Sequence, residues 1–249
     1  MLTRFSTAVL AVLLAFVSTA GVAGNVSNDS FNKAKSQLRQ IYADHRITLY
    51  CGASFDARGN ILPLSGFVTP SHHKRAERME WEHIVPAENF GRAFAEWREG
   101  HPECIDSRGR AFKGRKCAEK ASMDFRYMHA DMHNLAPAIG AVNALRSNYN
   151  FALLPDAPNT FGSCAMKIQG RQAEPPVAAR GMIARTYKYM QGAYSRYRMG
   201  RPQQQLMDAW DRMYPPDAWE CTRAKRIEAV QKNENPAVKG QCIAKGLWK

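Results

Sequence analysis

The sequence predicts an α+β fold, a mixed domain behind a removable leader. Three observations predict it. Several segments repeat apolar residues at the helical period, two short apolar runs between glycine and proline clusters read as strands, and no internal repeat or low-complexity tract divides the chain.

The leader comes first. Met1 to Arg4 supplies a cation, residues 8–17 an apolar run, and Ser18 to Ala23 a small-residue stretch, the layout of a secretory signal peptide over residues 1–23. Cleavage is expected after Ala20 or Ala23. A membrane anchor fits less well, because a spanning helix needs about twenty apolar residues and this run is about half that. The expected product is an exported protein without stable membrane insertion, residues 24–249 forming one domain and a monomer being the simpler state.

In order along that domain, residues 30–42 read as a helix with Ser30 as N-cap and Phe31, Ala34, Leu38, Ile41 and Tyr42 on one face. Residues 47–50 read as a short strand before a loop marked by Gly52, Gly59, Pro63 and Gly66. Residues 79–85 read as a strand ended by Pro86, and residues 91–120 as loop broken by short helix. Residues 131–145 read as helical, interrupted at Pro137 and Gly140. From Pro175-Pro176 runs the clearest helix, with Arg180, Arg185 and Lys188 expected on a cationic face. Residues 203–214 form another, stopped by Pro215-Pro216, and residues 222–232 a third.

With 35 Lys and Arg against 22 Asp and Glu, the formal net charge is +13, and the leader removes only Arg4 from it. A surplus of that size suits a partner that is itself a dense anion, nucleic acid first and anionic membrane second, although it also serves solubility. Cys51, Cys104, Cys117, Cys164, Cys221 and Cys242 make an even set in an exported chain, which favours three disulfides. Pairing Cys104 with Cys117 would staple a basic loop and Cys221 with Cys242 the C-terminal segment, but sequence leaves the connectivity open.

Chemistry concentrates in two segments. In Glu80-Trp81-Glu82-His83-Ile84-Val85-Pro86 a carboxylate adjoins an imidazole; neighbouring strand residues face opposite ways, so both serve one site only if the strand ends there. An isolated Glu-His pair is more often structural, and the inverted zinc-protease pattern fails because position 79 is Met79. In the stretch from Asp131 to Asn148, Asn143 is the better candidate for a hard neutral ligand sharing Mg²⁺ with one carboxylate, and Asn134 for a structural role. His129 and His133 have the HxxxH spacing, yet no close cysteine pair accompanies them to build a zinc site.

Read together, the segment from Met79 to Gly91, Asp131-Met-His-Asn-Leu with Val142-Asn143, Ala173-Glu-Pro-Pro through Met190, Asp208-Ala-Trp through Met213-Tyr-Pro, and Trp219-Glu-Cys-Thr-Arg resemble the endonuclease I family of periplasmic and secreted bacterial nucleases. The resemblance spans nearly all of residues 24–249. It implies a ββα-metal (His-Me finger) core in a mixed α/β domain, with one divalent ion, usually Mg²⁺, per site. It implies His83 as general base, Glu82 and Asn143 as metal ligands, and Arg115 as the arginine on the cleaved phosphate, at a shorter spacing to the next cysteine than in the family. Relatives carry two further cysteines where this chain has Ser54 and Ser65, and that joint loss implies Cys51–Cys164, Cys104–Cys117 and Cys221–Cys242 as the remaining pairs. The expected activity is cleavage of DNA, and also RNA, with little sequence preference and 5′-phosphate products, Arg180, Arg185 and Lys188 meeting phosphates. An exported nucleic-acid-binding protein without catalysis, and a phosphodiesterase for small substrates, are the rival expectations.

Overall fold

The computed structural model describes residues 23–248; the expected leader lies outside them apart from its last residue. Helix α1 (Phe31–Ile41) starts where Ser30 accepts from the Lys33 amide at 3.3 Å, and buries Ala34, Leu38 and Ile41. Short α2 (His73–Ala76) precedes strand β1 (Met79–His83), and α3 (Ala87–Gly91), α4 (Ala95–Arg98), α5 (Arg115–Ala121) and α6 (Met123–His129) follow. A 3₁₀ turn at Met132–Asn134 leads into β2 (Leu135–Ile139) and then α7 (Gly140–Arg146). Strands β3 (Asn150–Phe151), β4 (Lys167–Gln169) and β5 (Gln172–Glu174) form a small sheet in the order β3-β5-β4. The chain ends in α8 (Val177–Ala193), α9 (Arg201–Met213), α10 (Ala218–Gln231) and α11 (Pro236–Ala244).

The centre is the antiparallel pair β1–β2, in register from Met79 opposite Ile139 to His83 opposite Leu135. One face of β1 places Trp81 among Leu38, Tyr42, Leu135 and Ile227, which α1 and α10 cover. A larger cluster around Ile84, Phe90, Phe125, Val142, Phe151, Tyr187 and Trp210 joins α3, α6, α7, α8 and α9. Helices α8 and α9 approach so closely that a Cβ on Gly181 would stand 2.1 Å from the Tyr214 carbonyl oxygen. Among the described residues no helix is long and apolar enough to cross a membrane.

Three expectations need correction. Residues 47–50 are not a strand: Ile47 makes one isolated bridge to Ser54, and the Leu49 amide donates to the Pro137 carbonyl at 2.8 Å. Residues 131–145 are not one interrupted helix, because β2 occupies Leu135–Ile139. Pro137 is tolerated there because its carbonyl points away from β1 toward Leu49, so the side lacking an N–H is not the side paired with β1. Gly140 opens α7 instead of breaking a helix. The disulfides are Cys51–Cys164, Cys104–Cys117 and Cys221–Cys242, as the resemblance implied.

Candidate active site

Alternation along β1 sends Glu80 and Glu82 to one face and Trp81 and His83 to the other. The strand ends at His83, and Asn134 satisfies the backbone of the next two residues: its carbonyl accepts from the Ile84 amide at 3.0 Å, its side-chain Oδ1 from the Val85 amide at 2.8 Å, and its Nδ2 donates to the Val85 carbonyl at 3.0 Å. Asn134 is thus structural, a side chain extending the ladder past its end. There Glu82, His83, Arg115 and Asn143 line one cavity of about 310 Å³ with Arg75, Glu88 and Asn148.

Glu82 is 3% exposed. Tyr50 donates to its Oε1 at 2.8 Å and Arg146 Nη1 to the same oxygen at 2.7 Å, while no hydrogen bond engages Oε2 among the described residues. Burial raises its carboxyl above the ordinary carboxylate range, against the pull of Arg146 and Tyr50. Arg146 also donates to the His83 carbonyl at 2.8 Å and the Ile84 carbonyl at 2.6 Å, so one buried guanidinium fixes both the carboxylate and the end of β1.

Asn143 sits half-buried one turn before Arg146 on α7, its Nδ2 donating to Glu80 Oε2 at 3.0 Å. Burial works against the charge of Glu80, but Arg75, Asn143 and Arg78 hold its carboxyl below the usual range. An ionised carboxylate only accepts, so the amide must present its nitrogen to Glu80 and turn Oδ1 away from it. A free carboxylate oxygen and a free amide oxygen at one cavity form a hard donor set, suited to a small divalent cation that keeps several waters. No group of three His, Cys, Asp or Glu gathers for a closed zinc site among the described residues. His129 and His133 part company in particular, His129 Nδ1 lying 3.1 Å from Glu119 and His133 Nε2 3.2 Å from the Asn233 carbonyl.

The His83 Nε2 lies 2.9 Å from the His129 carbonyl oxygen. A carbonyl can only accept, so Nε2 carries the proton and Nδ1 keeps its lone pair. The ring stacks on His129 at a centroid distance of 4.6 Å and leans on Phe31 at 5.1 Å. Burial pushes the imidazole down to about 3; the His129 carbonyl opposes this, and Arg115, Arg146 and Lys35 add to it. The ring is neutral in ordinary buffers. Arg115 opens α5, exposed at the cavity rim and without an ion pair among the described residues.

The family model described as Endonuclease I matches residues 26–242. The chain belongs to the Endonuclease I family. It is 39% identical to an extracellular deoxyribonuclease of Aeromonas hydrophila over 92% of this chain and 98% of that protein. A periplasmic deoxyribonuclease of the same organism is also 39% identical, over 86% of each chain. Endonuclease-1 of Buchnera aphidicola subsp. Acyrthosiphon pisum (strain APS) is 34% identical over 87% of this chain and 83% of its own.

This Endonuclease I chain does not carry the free cationic face expected on α8. Arg185 is 1% exposed, gripping Glu220 through Nε at 2.7 Å and Nη2 at 2.5 Å, with Nη1 donating to Asp211 and the Tyr214 carbonyl. Its role is to tie α8, α9 and α10 together, and it has no surface to offer a phosphate. Arg180 pairs with Glu174 at 2.6 Å and Lys188 with Asp211 at 2.7 Å, so both charges are already matched. Sequence reasoning missed Glu80, Tyr50, Arg146 and the His129 carbonyl. Two of these had a signal: Glu80 is two residues from Glu82 on one strand face, and Arg146 three from Asn143 on one helix face.

Proposed function

We propose that this protein is an exported, Mg²⁺-dependent endonuclease that hydrolyses phosphodiester bonds of DNA, and of RNA, with little sequence preference. The observation that carries the reading is the neutral His83, its Nε2–H held by the His129 carbonyl at 2.9 Å, at one cavity with the free oxygens of Glu82 and Asn143. The names of the similar proteins, deoxyribonucleases outside the cytoplasm, support both substrate and location, and three disulfides suit an oxidising compartment. The order β1, β2, α7 around the site is consistent with a ββα-metal core.

In this mechanism His83 Nδ1 accepts a proton from the water that attacks phosphorus, and the His129 carbonyl keeps the ring in the tautomer that can do so. Arg115 holds the non-bridging oxygens of the scissile phosphate, a charge-assisted contact its lack of an internal partner leaves available. Glu82 Oε2 and Asn143 Oδ1 would hold the divalent ion, which when bound supplies Lewis-acid stabilisation of charge building on phosphate and leaving oxygen. Tyr50 and Arg146 keep Oε1 occupied, so that Glu82 presents its other oxygen. The P–O3′ bond then breaks, the 3′ oxygen takes a proton from solvent, and the product carries a 5′-phosphate. Contacts to phosphate and not to base edges give cleavage with little preference.

Supercoiled plasmid cleavage tests the reading. Residues 24–249 with Mg²⁺ are expected to nick and then degrade plasmid, leaving ends that accept ligation as 5′-phosphates, while EDTA or His83→Ala abolishes cutting. A fully active His83→Ala protein would remove His83 from the mechanism.

A further inference from the structure

The active-site cavity does not end at its own rim. Glu88 and Asn148 line it and also line a second cavity of about 490 Å³, bounded further by Arg92, Arg171, Arg198 and Tyr149. Glu88 is the one acidic residue in that second lining, and it is engaged: Asn148 donates to its Oε2 at 2.7 Å and Arg92 pairs with its Oε1. Arg92 and Glu88 match one another, and Arg171 and Arg198 have no ion pair among the described residues, so the groove is net cationic. A third cavity of about 410 Å³, beside Tyr42, His45 and Trp219, carries Asp217 and Glu220 with no Lys or Arg, the wrong sign for a phosphate.

The backbone adds a second, independent observation. Strands β4 and β5 join through Gly170-Arg171, with Gln169 paired to Gln172 and φ of +57° and +61° at the two turn residues. That is a type I′ hairpin turn, in which both positions favour Gly, Asn or Asp. Arginine in the left-handed region costs about 1 kcal/mol relative to glycine, yet Arg171 stands there, exposed and without an ion pair among the described residues. Ser147, at φ +52°, lines the active-site cavity. Strained residues of this kind gather where function holds them.

We infer that the groove of Arg171 and Arg198 is a second phosphate subsite, which holds the backbone of the cleaved strand beyond the scissile phosphate, with Arg171 as its principal contact. The inference rests on the nuclease reading and deepens it. Chain connectivity fits: from Asn143 only seven residues lead through Ser147 and Asn148 to Asn150, which is in register with Gln172 beside the turn. A strand seated at Glu82 and His83 therefore has a cationic path across Asn148. Arg198 is held for this by bonds from Nη1 to the Gln191 and Tyr197 carbonyls, which leave other guanidinium donors free.

Binding of a short duplex is measured in the His83→Ala protein, which is not expected to cut, with and without Arg171→Gly. Glycine suits the turn, so the variant is expected to melt at the same temperature or higher. It is expected to bind roughly fivefold more weakly at moderate salt, and the slope of log K against log salt is expected to fall by about 0.7–0.9, one phosphate contact. A neutral methylphosphonate placed in turn at each position of the cleaved strand should weaken the Arg171 protein at one flanking position, with no further effect there in Arg171→Gly. Equal affinity and slope in the two proteins would overturn the inference, as would coupling found only on the complementary strand. If the His83→Ala protein binds no DNA at all, it is the nuclease reading that falls.

Discussion

At the scale of single residues, the orientation of the Asn143 amide is set by Glu80, whose carboxylate is clamped by Arg75 and Arg78. In the proposed mechanism Glu80 is a positioning residue: it touches neither water nor phosphate, but it decides which atom of Asn143 would face a bound ion. Glu80→Gln keeps the shape and loses the charge that forbids the flipped amide. It is expected to cut plasmid about 10–100-fold more slowly at low Mg²⁺, the usual cost of losing a partner of a metal ligand, with activity partly restored as Mg²⁺ is raised. An unchanged Mg²⁺ dependence would show that Glu80 does not act through Asn143. Gly140→Ala tests the same support from the backbone, since its Cβ would stand 2.5 Å from the Arg75 carbonyl and 2.8 Å from Glu80 Oε1. Glu82, His83 and Asn143 were legible as candidates because each is an unusual residue at a strand end or in an apolar helix. The Arg115 position came from the family pattern alone. The Arg185 error has a physical cause: a helix carries the same cationic stripe whether the charges meet water or buried carboxylates, and Glu220 lies 35 positions away.

At the scale of elements, α5 depends on the Cys104–Cys117 disulfide, which closes a separation of 13 residues and pins the first turn of the helix two residues beyond Arg115. Replacing both cysteines with alanine is expected to cost about 3 kcal/mol of stability by loop entropy. Plasmid cleavage is also expected to fall at temperatures where the variant remains folded, because the arginine loses its anchored helix. Melting curves and cleavage rates measured together distinguish the effects, and full activity in a destabilised variant would detach Arg115 positioning from this bridge. Helices α1, α8 and α9 were readable from caps, prolines and apolar spacing, signals that lie within each segment, whereas α10 was read only from residue 222 although it starts at Ala218 behind the Asp217 cap. Strand β2 was not, because Leu135-Ala-Pro-Ala-Ile139 is short, apolar throughout and contains a proline, so its period carries no information and only pairing with β1 decides. Residues 47–50 show the converse, a strand-like run whose one chance of pairing is spent on a bridge and a single bond to Pro137.

At the scale of the whole molecule, three histidines are buried neutral: His83 is pushed down to about 3 and His129 to about 2, and His133 is lowered as well, burial being the main cause in each. In the unfolded chain each titrates near 6.5. A folded pKa below the unfolded one means that, as pH falls through 6.5, the unfolded state takes up protons that the native state refuses, so stability declines on the acid side. His83 and His129 each approach about 1.4 kcal/mol per pH unit below 6.5, and together they remove roughly 3 kcal/mol between pH 6.5 and 5, a sizeable part of a typical domain's stability, with His133 acting in the same direction. The raised carboxyls of Glu82 and Glu119 act in the opposite direction and soften the fall. The urea midpoint is therefore expected to be flat above about pH 7.5 and to drop steeply below pH 6.5. His133→Gln, remote from the active-site cavity, should reduce that slope, whatever it does to stability at pH 8. A midpoint independent of pH between 8 and 5 would contradict the burial of these rings. Native His83 stays unprotonated to about 3. Activity lost between pH 6.5 and 5 should accordingly follow the unfolded fraction and return when the protein is brought back to neutrality, whereas titration of His83 itself would abolish cleavage in a chain that is still folded.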